Sequence, residues 1–418
     1  DSAMHFLKLN LAFIQNKFEL QNELLAVCND LMGEYYMSIL DADAAMKYYQ
    51  RSLNIRKYLY PHDHPRIAFS YSNYAKYYSF KIERDSALFY AELAYKLYLK
   101  KPDVSNHIPY ERIYMEYAYA YKIIHMHKGF DKTKTLKETR VLYSNALKFI
   151  DKKYGINSLA SAAVYRNMGN TYTDIILGFE GKPDLKSYYF KKGITFYDKS
   201  IAICSNYIIG NNSTLSTLYY VKALLYGYAY LSDSSEKCIL MHDKAIASLI
   251  PSYRFNNTFN ELELKACSFK YELMTTIFTK SSAYLSLYSR TGNKEHLKSG
   301  YHLAKNLIPL WNYVIEEFES PYANRLITIY NGKIFNFLVQ MSLLLYEQEN
   351  NIQYLNDIFY FSEQSKCSLQ NRLLAISSSR PVPSNNSQVI TPVDIQRALP
   401  TDNTLFLEFF DSTIVMGI

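Results

Sequence analysis

The chain has 418 residues, of which only 13 are Gly and 12 are Pro, well below the usual shares of about 7% and 5%. Gly and Pro form the turns of hairpins and tight loops, so their scarcity argues against a β-sandwich, a β-barrel or a Rossmann sheet over most of the chain. The net charge of +7 is spread over 46 basic and 39 acidic residues. This balance argues against nucleic-acid binding, which calls for a concentrated basic stripe.

Tyrosine is unusually frequent, with 42 Tyr and 23 Phe against a single Trp. Such a composition fits either a surface that stacks on bases or sugars, or helix packing by amphipathic rings in a protein from an AT-rich genome. The tyrosines recur at helical spacing along the whole chain, which favours packing.

The five cysteines show no CxxC spacing, so we predict buried free thiols in a reducing compartment rather than a disulfide framework or a zinc site. No apolar run reaches the roughly 18 residues of a membrane span. We therefore expect a cytoplasmic protein without a membrane segment. The chain opens DSAMHF, without a start Met, and an export signal removed from upstream would make the protein extracytoplasmic.

Two early segments repeat small and aromatic residues at equal spacings. Gly33, Tyr36, Ala45, Tyr49 and Ser52 of the first segment correspond, 42 positions later, to Ala75, Tyr78, Ala87, Ala91 and Ala94 of the second. A small residue on one helix lets a second helix approach closely, and an aromatic residue fills the space beside it. The spacings therefore predict stacked helical hairpins.

Looser copies of the pattern follow along the chain, two of them interrupted by insertions. They comprise Ala118, Tyr121, Thr139, Tyr143 and Ala146; Gly169, Tyr172, Gly193, Tyr197 and Ser200; Ala223, Tyr226, Cys238, His242 and Ala245; and Leu285, Tyr288, Leu297, Tyr301 and Ala304. A seventh helical pair, over about 327–346 and 352–376, closes the array. The signature residues are expected to be core.

This pattern resembles tetratricopeptide (TPR) repeats. The resemblance implies an all-α fold, an antiparallel helical-hairpin superhelix (solenoid) of about six to seven repeats over residues 1–376. First helices would line its concave surface and second helices its convex one. The longer spacing and the sequence PHDHP resemble the extended TPRs of kinesin light chains and of bacterial signalling proteins. His62 and His64 there could suggest a metal site, but Pro65 suits a first helical turn, which favours a loop or helix start.

The sequence changes character after Ile376. Residues 377–400 form a polar, Pro-containing linker, and two runs within 401–418, TLFLEFF and TIVMGI, predict a short C-terminal β-hairpin. Together with the helix FYFSEQSKCSLQNRLLA, they resemble the start of an α/β caspase-like CHAT domain. That family's catalytic His and Cys lie further downstream, so Cys367, on a helix before the domain, is not assigned as a nucleophile.

Motifs for catalysis or cofactors are missing from the sequence. It contains no Walker loop, no GxGxxG after a strand, no HExxH and no GxSxG. We therefore predict no catalytic residue, no metal and no cofactor for this chain, whereas the full-length protein would be a CHAT-family cysteine peptidase if the resemblance holds. His125 and His127 are assigned to structure or solvent.

The repeat spacing also predicts which polar residues face the groove of the first helices, where a protein or peptide ligand would bind. They are Asn73, Lys76, Arg112, Glu116, Lys122, Arg166, Asn167, Asn170, Asp174 and Tyr220. Asn167 and Asn170 resemble the Asn residues with which some TPRs hold a peptide backbone or carboxylate, since an amide can both donate and accept. The alternative is an ordinary solvated face.

Three hypotheses of function follow. The one favoured is a TPR region that recognises a protein or peptide and controls a C-terminal CHAT-type cysteine protease domain in cis. The second is a non-catalytic TPR scaffold with the terminal strands as a tail. The third is the sensor region of a bacterial signalling protein. A caspase-like His/Cys pair downstream in the gene would select the first hypothesis, and a transmembrane helix followed by a kinase module would select the third.

Overall fold

The computed structural model describes residues 22–39, 41–100, 110–125, 131–177, 181–207, 212–229, 234–317 and 321–378, with a few positions near the N-terminus. The regular elements in these ranges are all α-helices. They are α1 Glu23–Ser38, α2 Ala42–Leu59, α3 Pro65–Phe80, α4 Arg84–Lys100, α5 Glu111–His125, α6 Lys132–Tyr154, α7 Leu159–Ile176, α8 Pro183–Tyr207, α9 Ser213–Ala229, α10 Ser234–Leu249, α11 Glu261–Ala266, α12 Lys270–Thr291, α13 Lys294–Lys305, α14 Leu307–Glu317, α15 Pro321–Glu349 and α16 Ile352–Ser378.

The helices begin where the sequence supplies a cap. Asn22, Asp41 and Ser158 each accept a hydrogen bond from a backbone N–H in the first turn of α1, α2 and α7. In the PHDHP segment, the ring of His64 accepts from the N–H of Arg66, and Pro65 occupies the first turn of α3. The helix-start interpretation of this segment is confirmed.

Consecutive helices pair into hairpins, and these fall into two compact units, Asp1–Ile209 and Gly210–Ile418. The first unit contains the pairs α1/α2, α3/α4, α5/α6 and α7/α8, and the second contains α9/α10, α12/α13 and α15/α16. The predicted all-α helical-hairpin repeats are thereby confirmed for the described ranges. Part of each predicted insertion is helical and lengthens the second helix, since α6 has 23 residues and α8 has 25.

The core of the hairpins contains the predicted tyrosines of the second helices, but the expectation that all signature residues are core is wrong for five tyrosines of the first helices, which are only half-buried: Tyr36, Tyr78, Tyr121, Tyr226 and Tyr288. Tyr49, Tyr143, Tyr197 and Tyr301 hold the same position in their second helices, and each is at most 2% exposed. In the first and fourth hairpins these rings lie against a glycine of the partner helix. The four described cysteines whose side chains are placed, at positions 28, 204, 238 and 267, are free and buried, as predicted.

Unit 2 contains features that the repeat pattern did not predict. Helices α11 and α14 lie between the pairs, and α14 buries Trp311, whose ring N–H donates to Asn331 of α15 at 3.0 Å. A buried Lys280 on α12 donates to Asp243 of α10 at 2.5 Å and to the hydroxyl of Tyr253 at 3.0 Å. The predicted linker beyond residue 378 and the β-hairpin within 401–418 lie outside the described residues.

Candidate functional site

The first helices of unit 1 present a polar surface that side chains bridge from hairpin to hairpin. We call it the first-helix face. It comprises Asp30 and Glu34 of α1, Asn73 and Lys76 of α3, Arg112, Glu116 and Lys122 of α5, and Arg166, Asn167, Asn170 and Asp174 of α7. Nine of the ten predicted groove residues thus lie on first helices of unit 1, and the tenth, Tyr220, lies on α9 of unit 2.

One end of the face rests on a buried ion network around Arg56 of α2. The Arg56 side chain has no exposed surface and donates to Asp30 at 2.7 Å, to Glu23 at 3.2 Å and to the hydroxyl of Ser70 at 2.7 Å. Burial disfavours the charged guanidinium, but Asp30 and Glu23 outweigh it and raise the pKa of Arg56. Because its donors are used internally, we assign this network to holding α1, α2 and α3 together.

Glu34 links three successive first helices. Its carboxylate accepts from Arg112 of α5 at 2.5 Å and also pairs with Lys76 of α3. Burial favours the neutral carboxyl, but the two cations outweigh it and hold the pKa of Glu34 at about 2. The charges of Lys76 and Arg112 are therefore largely satisfied within the protein.

The side-chain amide of Asn73 already bonds to other residues of the protein, although its position in the repeat predicted a ligand contact. Asn73 is 1% exposed, its amide NH₂ donates to Asp30 at 2.8 Å, and its amide oxygen accepts from Arg112 at 3.4 Å. Lys122 is also buried and pairs with Asp174 at 2.6 Å. These groups fix neighbouring helices to one another, so we do not retain Asn73 and Lys122 as ligand contacts.

The middle of α7 is different, because the side chains of Arg166 and Asn167 there have no hydrogen-bond or ion-pair partner among the described residues. Arg166 is half-buried and forms no ion pair with a carboxylate among the described residues. Burial lowers the pKa of Arg166, with Cys204 and Tyr197 opposing the shift. A guanidinium stays charged in proteins, so this is a partly desolvated cation without a counter-ion in the described chain.

The two neighbouring amides of α7 add hydrogen-bonding capacity. Asn167 is half-buried, and its side chain makes no hydrogen bond to another described residue, since only its backbone carbonyl accepts, from Thr171. The amide oxygen of Asn170 accepts from the hydroxyl of Tyr197 at 2.8 Å, which leaves its NH₂ group for other partners. One cation and two amides thus project from consecutive turns of one helix.

Glu116 of α5 supplies a negative group on the same face. It is half-buried, and burial raises its pKa, with Lys76 and Arg112 opposing the shift. Glu116 lies within electrostatic range of those two cations, which also serve Glu34. The first-helix face therefore combines charges that pair with one another on α1, α3 and α5 with two side chains on α7, Arg166 and Asn167, that have no partner among the described residues.

Sequence reasoning missed two acceptors of this face, Asp30 and Glu34, although Glu34 could have been found. Glu34 follows Gly33 exactly as Lys76 follows Ala75, so the 42-residue offset places these two opposite charges at equivalent positions of adjacent helices. Asp30 and Arg56 carry no such signal, because their pairing depends on the packing of a first helix against a second one.

The comparisons with known proteins identify no family. No protein-family model matches the chain, and no curated protein matches it. Among solved structures, the crystal structure of BtubC (BKLC) from P. vanneervenii matches with 17% identity and a TM-score of 0.42, over 60% of this chain and 91% of that one. A putative kinesin light chain with nearly identical TPR-like repeats from Podosopora anserina matches with 12% identity and a TM-score of 0.38, over 56% of this chain and 100% of that one.

Among the described residues, no helix has both the length and the apolarity needed to cross a bilayer. Nor do these residues contain a group of three or more His, Cys, Asp or Glu side chains that could hold a metal ion.

Proposed function

We propose that this chain is a protein-interaction module whose first-helix face binds a peptide segment that carries a carboxylate. The observation that supports the proposal most strongly is the half-buried Arg166, which has no acidic partner among the described residues. Arg binds a carboxylate through two parallel N–H donors, and such charge-assisted bonds are stronger than neutral ones. The carboxylate of the ligand supplies the missing counter-ion.

Asn167 and Asn170 hold the peptide backbone beside that carboxylate. A side-chain amide can donate to one backbone group and accept from another, and both residues have unused capacity on the same helix. Lys76, Arg112, Glu116 and Asp174 lie on the same first helices, where Lys76 and Arg112 pair with Glu34 and Asp174 pairs with Lys122.

A display library of ten-residue peptides, selected on the immobilised chain, tests this function. We expect enriched peptides with an acidic side chain or a free C-terminus, and at least tenfold weaker binding to Arg166→Gln. The control is Lys148→Gln, the same loss of charge at an exposed position of the second helix α6. A selection that yields no binding peptide, or binders that Arg166→Gln leaves unaffected, would contradict the proposal. Amidated copies of each peptide distinguish a C-terminal carboxylate from an acidic side chain.

We further propose that the module controls a CHAT-type cysteine protease domain in cis, in a cytoplasmic protein. This part is supported by the sequence of residues 359–418, where a long helix, a polar spacer and two apolar runs follow one another. A caspase-like His and Cys encoded past Ile418 would support it. The alternatives are a plain scaffold and the sensor region of a signalling protein.

Expression with and without residues 377–418 gives a protein-level test. Both terminal runs are apolar, and an isolated two-stranded hairpin of this kind is marginal in water and prone to aggregate. If residues 404–418 are the opening strands of a larger α/β domain, the longer form should be the less soluble of the two. Equal solubility, with strands that are flexible and unpaired in solution, would favour the plain scaffold.

A further inference from the structure

A pocket of about 200 Å³ lies within unit 2, between α9, α10 and α12. Its walls include Leu224, Cys238 and Phe278, one from each of the three helices. Ser286 and Arg290, which also line it, are exposed and therefore mark where the pocket opens to solvent. None of these residues belongs to the first-helix face of unit 1.

The pocket coincides with a change in the repeated core position. Tyr49, Tyr143, Tyr197 and Tyr301 fill this position in four other hairpins, whereas α10 carries His242 there. An imidazole is shorter than a phenol ring and does not fill the same space. The second hairpin carries the still smaller Ala91 at this position and packs it in its core, so the open volume also depends on the residues around His242.

His242 is also the polar group at the buried end of the pocket. It is 1% exposed, lines the pocket, and its Nδ1 has no hydrogen-bond partner among the described residues. Burial lowers the pKa of His242 to about 3, with a further contribution from the nearby Lys280. The ring is therefore neutral at physiological pH, with one donor and one acceptor nitrogen. Nδ1 itself has almost no accessible surface, so a ligand in the pocket would meet the ring at Nε2.

Two hydroxyl groups in the wall are used by their own helix. Thr279 donates to the carbonyl of Thr275 at 2.8 Å, and Ser282 donates to the carbonyl of Phe278 at 3.0 Å. Tyr220, Tyr228 and Ser286 bring further hydroxyl groups to the lining, beside the apolar Leu224, Cys238 and Phe278.

Arg290 gives the mouth a positive charge. It donates to the hydroxyl of Ser235 at 2.6 Å, and no carboxylate among the described residues pairs with it. The pocket thus has a neutral imidazole at its inner end and a guanidinium at its mouth, with Leu224, Cys238 and Phe278 in the walls between them.

We propose that this pocket binds a small aromatic carboxylic acid with a hydrogen-bonding group on its ring. The ring packs against Leu224, Cys238 and Phe278, the ring substituent bonds to His242, and the carboxylate meets Arg290. The volume fits this class, because a cavity of about 150 Å³ is known to accept benzene. The proposal concerns unit 2 alone and does not depend on peptide binding by unit 1.

Three probes of one size separate these contributions in calorimetric titrations of the whole chain. They are 4-hydroxyphenylacetate, phenylacetate without the ring hydroxyl, and 4-hydroxyphenylethanol without the carboxylate. We expect the first to bind, and each of the others to bind at least fivefold more weakly. No binding of 4-hydroxyphenylacetate at millimolar concentration, or equal binding of the acid and the alcohol, would overturn the proposal.

Variants locate the binding. Arg290→Gln, at an exposed position, should reduce affinity for the acid about tenfold and leave affinity for the alcohol unchanged, and His242→Phe should remove the advantage of the ring hydroxyl. Ala283→Phe fills the pocket and should abolish binding, with Ala283→Leu as a smaller replacement if the first variant melts early. Lys265→Gln is the charge control, exposed on α11. Binding that survives in the folded Ala283 variants would refute this site.

Discussion

Gly169 of α7 lies so close to Tyr197 of α8 that a Cβ atom on the glycine would stand 2.5 Å from Cε1 of the ring. Gly33 of α1 and Tyr49 of α2 repeat this relationship, with 2.4 Å between the same two atoms. Carbon atoms do not approach so closely in a packed interior, so each glycine sets the separation of the two helices in its hairpin. The repeated pair of small and aromatic residues is thus a contact as well as a sequence pattern.

The first prediction follows from that contact. Gly169→Ala should destabilise the protein by about 1–3 kcal/mol, the usual cost of overpacking, although Ala is the better helix former. Gly332→Ala is the matched control, because a Cβ there would meet nothing within 4 Å. It should stabilise α15 by about 0.5–1 kcal/mol. Urea unfolding measures both changes, and a gain in stability for Gly169→Ala would refute the proposed packing.

The same site allows a test of how far the damage spreads. Gly169→Leu forces a larger side chain against Tyr197, and repeat hairpins couple mainly to their neighbours. Faster amide hydrogen exchange should centre on α7 and α8 and fade along the chain. Uniform loosening of the whole protein would contradict the repeat model.

A third prediction concerns the buried ion network. Arg56→Ala leaves Asp30 buried without its main counter-ion, and breaking such a pair from one side typically costs about 3–5 kcal/mol. Lys96→Ala removes one member of the exposed pair with Glu92 and should change the free energy of unfolding by less than about 1 kcal/mol. Similar effects of the two substitutions would show that Arg56 is not a central contact of unit 1.

Stability should also depend on pH through His242. Its pKa falls from 6.5 to about 3 on folding, so the unfolded chain binds a proton between these values and the folded chain does not. The contribution of the neutral ring is therefore complete above pH 6.5 and is lost as the pH falls toward 3. Between pH 7 and pH 5 we expect a loss of about 2 kcal/mol from this group.

His242→Phe serves as the reference for that measurement. The neighbouring pair Lys280 and Asp243 is present in both proteins, so only the difference between their unfolding free energies at the two pH values reports on His242. The wild type should lose more stability than the variant. Parallel pH profiles would contradict a buried, neutral His242.

The two amides of α7 are predicted to differ. Asn167→Ala should weaken peptide binding without lowering the melting temperature, because the side chain bonds to no other described residue. Asn170→Ala removes one partner of the Tyr197 hydroxyl, which keeps Thr173 at 2.9 Å, and should cost about 0.5–1.5 kcal/mol. A stability loss for Asn167→Ala with binding intact would mean that this residue is structural.

The sequence predicted the hairpins because their helices touch through residues at fixed spacings. Gly33 with Tyr49 and Gly169 with Tyr197 are such contacts. Gly169 and Tyr197 are in contact even though the sequence between them contains an insertion. Helix α11 was missed because six residues are too few to show a period, although its capping box of Asn260 and Glu263 is visible in the sequence. Helix α14 was missed because a single residue, Asn306, separates it from α13.

The site was less predictable than the fold. The repeat position placed Asn73 and Arg166 on the same kind of surface, yet Asn73 is used up by Asp30 and Arg112 while Arg166 has no acidic partner among the described residues. That difference depends on which side chains the neighbouring helices contribute. The partners of Asn73, Arg112 and Asp30, lie 39 and 43 positions away in the sequence. One sequence read by itself does not contain this information.

Photo-crosslinking tests most directly whether the first-helix face of unit 1 binds peptides. A photoreactive benzoyl-phenylalanine is placed at position 167 on α7 in one protein and at position 148 on α6 in another, and each is irradiated with the best peptide from the library. Our account predicts a crosslink from position 167 that excess unlabelled peptide abolishes, and none from position 148. A crosslink from position 148 alone, or equal crosslinks from both, would contradict it.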